Sequence, residues 1–155
     1  MGIEALVAFF AGRTSSAPDG ERVDPVTVAA CALLLEIAHA DDVFTPEERE
    51  RIARHIRTEM GVPDEEMREV FRAAEEERRE SVDLYHFTRL LSDHLSRDQR
   101  RRLVETMWEV VYADGSLSAV ESQLARRVAE LLGFQHPEVQ EIKDKIAART
   151  GEAEE

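Results

Sequence analysis

Two stretches of this chain repeat each other at a constant offset of 73 residues, and each is a helix-forming run, a short acidic loop and a second helix-forming run. Glu36, Ala40, Asp41, Phe44, Thr45 and Glu48 fall on Glu109, Ala113, Asp114, Leu117, Ser118 and Glu121; with one residue deleted, Ile52, Ile56, Met60 and Gly61 fall on Leu124, Val128, Leu132 and Gly133. Two copies of one supersecondary unit are the simplest explanation. A helix-loop-helix unit cannot bury its apolar stripe alone, so two copies must pack together or against further helices. With 155 residues the chain has the size of one domain with one core.

The remaining segments are bounded by helix punctuation. Asp24 and Pro25 form an N-cap and first-turn proline for a helix over 25–40, apolar nearly all round and therefore central. Thr45, Pro46 and Glu48 start a helix over about 46–60 that Gly61 and Pro63 end. Met67, Val70, Phe71 and Ala74 have the spacing of one face in a helix from Asp64 to about residue 80. A segment over Ser81–Leu95 follows, then a Ser96 and Gln99 capping box for a helix to about Ala113. Ser118 and Glu121 make a third box for a helix stopped by Gly133, and Pro137 starts the last.

No stretch alternates with the period of a strand, so the expected class is all-α, a bundle of seven to eight helices built on the two repeats. Residues 1–24 are expected to hold a short helix over 3–11 and a flexible linker over Gly12–Asp24, residues 25–150 the helical domain, and 151–155 an acidic tail.

Charge and apolar length narrow the partners. The net charge is -13, of which three charges lie in the tail, and that sign repels nucleic-acid phosphates and anionic lipid surfaces. The apolar run from Val28 is interrupted by Glu36 and is too short for the roughly 20 residues of a membrane span. The N-terminus, MGIEALVAFFAGR, shows neither a basic leader nor a small-residue cleavage site, and Leu6 stands where a myristoylation signal wants Ser or Thr. A cytoplasmic protein is expected. Cys31, alone in the chain, excludes an internal disulfide and reads as a small core residue.

The segment Ala113 to Glu121, its degenerate partner Ala40 to Glu48, and the middle segment Ser81-Val82-Asp83-Leu84-Tyr85-His86-Phe87 resemble the TerB-like family. The similarity covers about residues 25–148, and within the family it is nearest an uncharacterised branch. That family includes bacterial proteins linked to tellurite resistance. The resemblance implies an all-helical fold with an acidic patch suspected of binding metal, in a stress-related or metal-related context, and it implies no particular reaction. The first copy departs from the family's Ala-Asp-Gly pattern, since Asp42 replaces the glycine.

The acidic loops admit two readings. In one, Thr45 with Glu48 and Ser118 with Glu121 satisfy orphan amides, and Asp41 and Asp114 cap local backbone groups, leaving a plain interaction or structural module. In the other, Glu109, Asp114 and Glu121 converge on a hard divalent cation, Ca²⁺ or Mg²⁺, with Glu36, Asp41 and Glu48 as a weaker copy. Glu36 and Glu109 motivate it, because caps do not explain them and a buried carboxylate needs a cation or an arginine as partner. Against it, Glu121 lies at a helix N-terminus, whose dipole disfavours cations.

Zinc is a weaker fit, because the five histidines show no paired spacing and His39 beside Asp41 and Asp42 has Tyr112 as its counterpart. Arg97, Arg100, Arg101 and Arg102 form a basic cluster that suits a solvated face, an acidic protein partner, or self-association through the acidic run Glu75–Glu80 of a second copy. No nucleophile elbow, phosphate loop or dinucleotide fingerprint is present. A non-catalytic binding module is therefore expected, with a metal-dependent hydrolase ranked behind it.

Overall fold

The computed structural model describes residues 23–80, 83–113 and 119–154, with side chains through Arg149. The expected helix over 3–11, nearly all of the linker, the side chains of the acidic tail, Asp114 and the Ser118 cap lie outside the described residues. Seven helices and no strand occur among those described: α1 Pro25–Ala38, α2 Pro46–Glu59, α3 Asp64–Glu80, α4 Leu84–His94, α5 Arg97–Tyr112, α6 Ala119–Leu131 and α7 His136–Glu154. The chain folds as an α-helical bundle. No helix among the described residues is long and apolar enough to cross a membrane.

Helix α1 is the centre of the bundle because its sequence offers no polar face: eleven of its fourteen residues are buried. It packs against α3, α4 and α5 and touches α2 and α6. The Asp24 carboxylate starts it, accepting from the Val26 amide at 3.4 Å and the Thr27 hydroxyl at 3.1 Å. Helix α5 is the second hub. It contacts α1, α2, α6 and α7 and buries Leu103, Val104, Thr106, Met107, Trp108, Val110 and Val111. The thiol of Cys31 is fully buried in α1, and burial, with Glu75 second, drives its pKa above the ordinary range.

Local chemistry sets the helix limits. The expected reciprocal capping boxes form at Thr45 with Glu48 and at Ser96 with Gln99. Where the segment from Ser81 reads as one helical stretch, α4 instead starts at Leu84, because the Asp83 carboxylate accepts from the Tyr85 amide at 3.0 Å and caps it there.

Gly61 and Gly133, matched by the offset, both take positive φ, at 71° and 100°. Gly133 completes a Schellman closure of α6: the Phe134 amide donates to Ala129 at 3.1 Å and the Gly133 amide to Glu130 at 3.0 Å. A β-carbon at Gly61 would meet no atom within 4 Å, whereas one at Gly133 would lie 3.0 Å from Nη1 of Arg100, the atom that donates to the Leu132 carbonyl at 2.6 Å. Gly61→Ala should therefore cost the left-handed backbone penalty alone, roughly 1–2 kcal/mol. Gly133→Ala should cost about 1 kcal/mol more, since it also displaces a charge-assisted hydrogen bond. Urea midpoints of the two variants measure the difference; equal costs would refute the role given to Arg100.

Candidate functional site

The first acidic loop is built from backbone turns. After α1, the Ala40 amide donates to Ile37 at 3.2 Å and the Asp42 amide to His39 at 3.0 Å. Asp42 takes φ 66°, the left-handed conformation its counterpart Gly115 would adopt freely and which aspartate tolerates better than most residues. The Asp41 carboxylate accepts from the Val43 amide at 3.1 Å. Glu48, 1% exposed, accepts from the Thr45 amide at 3.0 Å, and the Thr45 hydroxyl accepts in return from the Glu48 amide at 3.1 Å.

Glu36 has an arginine as its partner. Nε of Arg78 on α3 lies 2.9 Å from its carboxylate, Nη1 of the same arginine lies 2.6 Å from Glu75, and Glu75 stands 3.4 Å from Nε2 of His39. His39 in turn packs its ring on Phe44, with centroids 4.6 Å apart. Glu36, Asp41 and Glu48 thus all have partners within the protein, and the Glu36–Arg78 ion pair ties α1 to α3.

The carboxylates expected to form the second copy have other surroundings. Glu109 on α5 faces Nη1 of Arg149 at 3.5 Å, and that arginine is more than half exposed. Glu121, in the first turn of α6, is 1% exposed. Asp114, the middle member of the expected set, lies outside the described residues. No three His, Cys, Asp or Glu side chains among the described residues stand close enough to share a metal ion.

The basic cluster at the start of α5 makes contacts within the protein. Arg97 reaches Glu138 at 2.6 Å and lies over the Phe134 ring, Arg100 donates to the Leu132 carbonyl, Arg101 lies 3.7 Å from Glu105, and Arg102 lies 2.6 Å from Glu59. Its arginines fasten α5 to α2, α6 and the start of α7.

A polar cleft of 140 Å³ between α2 and α5 is the feature that the sequence pattern missed. Arg51, Arg54, His55 and Glu59 line it from α2; Arg102, Glu105, Thr106 and Glu109 line it from α5. His55 and Thr106 are buried, 4% and 7% exposed, with Nδ1 2.8 Å from the Thr106 hydroxyl. Burial lowers the His55 pKa to about 4, an effect that Glu59 opposes and Arg102 reinforces, so the ring is neutral at pH 7. The signal available was a polar residue beside the core positions of each helix, His55 beside Ile56 and Thr106 beside Met107. Nothing local says that they meet, because 51 residues separate them.

Fold and loops together define an all-helical domain whose successive helices are joined, after α1, by a tight acidic turn ending in a capping box. A model of the TerB family, described as tellurite resistance protein TerB, matches residues 27–144, which is most of the chain. The chain belongs to the TerB family. No curated protein and no solved structure matches it.

Proposed function

We propose that the chain is a non-catalytic TerB-like binding module of stress or metal handling, and that its second acidic loop takes a divalent cation, Ca²⁺ or Mg²⁺. The observation that carries the reading is the asymmetry between the copies. Glu36 is clamped by a half-buried arginine at 2.9 Å, whereas the cation that Glu109 faces among the described residues is an exposed arginine at 3.5 Å that can turn into solvent. A carboxylate held so loosely is free to exchange that partner for a cation. Glu109, Asp114 and Glu121 would supply oxygen ligands, which suit a hard ion, with backbone carbonyls and water completing the six to eight that Ca²⁺ takes. Zinc suits the loops less, because the loops carry no paired histidines: His39 beside the first loop has Tyr112 as its counterpart in the second.

A cation at ten times its dissociation constant should stabilise the fold by about 1.4 kcal/mol, read as a rise in melting temperature. Asp114→Asn and Glu121→Gln should abolish the rise, and Glu36→Gln should keep it. Monovalent salt at matched ionic strength controls for general screening of the -13 charge. If all three variants respond as wild type does, or no more than to matched salt, the acidic loops are helix caps. The second reading, a protein-interaction or self-association module, would then stand; the Asp41 turn and the Thr45–Glu48 box already give the first loop that capping chemistry.

A further inference from the structure

We infer that the α2–α5 cleft is a binding site for a compact oxyanion, a phosphate or carboxylate group, held by Arg51 and Arg54 above the buried His55–Thr106 pair. The charges lining the cleft point to that ligand. Two of its three carboxylates have close cations, Glu59 with Arg102 at 2.6 Å and Glu105 with Lys145 at 3.1 Å, while Glu109 faces Arg149 more loosely at 3.5 Å. Arg51 and Arg54, one turn apart on the same face of α2, belong to no ion pair among the described residues. In a chain with 33 acidic and 20 basic residues, two cations without carboxylates at one cleft run against the overall balance.

The interior of the cleft is polar and built. A histidine and a threonine buried together between two helices cost desolvation that an apolar pair would not, and they are satisfied by one another at 2.8 Å. When the Thr106 hydroxyl donates to Nδ1, the single proton of the neutral ring sits on Nε2, and His55 keeps a donor without adding charge. The cleft's 140 Å³ exceeds what one water needs and admits a group with several oxygens. Two guanidinium groups, with their planar forks of donors, match such a group's geometry. Glu109 borders both this cleft and the proposed cation site, so the anion site is tested with no metal present.

The test uses the full chain stripped of metal on a chelating resin, so that its outcome does not depend on the acidic loops. Inorganic phosphate and, separately, acetate are titrated against chloride at matched ionic strength, following the His55 imidazole proton signal, assigned by its loss in His55→Asn. A saturable shift with phosphate or acetate, absent with chloride, supports the site, and whichever anion binds more tightly identifies the ligand group. Arg51→Gln and Arg54→Gln should each weaken binding by about tenfold, the loss of one charge-assisted contact. Arg57→Gln, which removes an ion pair with Asp64 elsewhere on α2, should leave it unchanged. Absence of a saturable shift with both anions, or titration of the two cleft variants as wild type, overturns the inference.

Discussion

Trp108→Ala is expected to cost roughly 3–5 kcal/mol of stability, the range for deleting a large aromatic from a packed core. Trp108 is fully buried in α5, with Arg126 of α6 and Lys143 of α7 lying 5.7 and 5.6 Å from its ring. Its removal would leave a cavity where three helices meet, and the two cations would lose their aromatic surface. Trp108→Phe should cost far less, for a reason beyond size. The indole Nε1 is buried and meets no acceptor among the described residues, so wild type carries a desolvation cost that phenylalanine removes. Urea unfolding followed by circular dichroism gives both values, since Trp108 is the chain's one tryptophan and its fluorescence is lost in each variant. Equal destabilisation by the two substitutions would contradict this account.

Acid should destabilise the fold through His55 before carboxylate protonation dominates. The folded-state pKa is lowered to about 4 from 6.5, with burial the leading cause. Between those values the unfolded chain binds a proton that the folded chain excludes, so stability falls as pH drops from 6.5 towards 4 and rises again with pH. The shift corresponds to about 3 kcal/mol. For a chain of this length that is roughly 6–12 °C of melting temperature. His55→Asn keeps a polar group facing Thr106 and cannot titrate; the wild-type minus variant difference should shrink by that amount across the window. Parallel pH profiles for the two proteins would show that His55 contributes nothing.

Several features of the fold were legible in the sequence because they are local. A cap joins residues two or three apart and an apolar stripe repeats every three or four, so Asp24 with Pro25, Thr45 with Glu48, and Ser96 with Gln99 mark the starts of α1, α2 and α5 as the structure has them. The exception, α4, is instructive. Its start is fixed by the side chain of Asp83, and an aspartate inside a segment resembling continuous helix gives little warning that it caps.

The sequence alone therefore determined the helical class, the centrality of α1, the position of the first acidic loop and the requirement that Glu36 have a partner. Tertiary structure decided which partner each charge received. Arg78 answers Glu36 across 42 residues, Arg102 answers Glu59 across 43, and His55 meets Thr106 across 51. It also gave three of the four clustered arginines, Arg97, Arg100 and Arg102, partners on other elements and left Arg51 and Arg54, which no motif distinguishes, facing a cleft. Caps and stripes follow from the 3.6-residue turn of a single helix, but the meeting of two side chains on different helices depends on how those helices cross. That crossing is set by the packing of the whole core, and no window of neighbouring residues contains it.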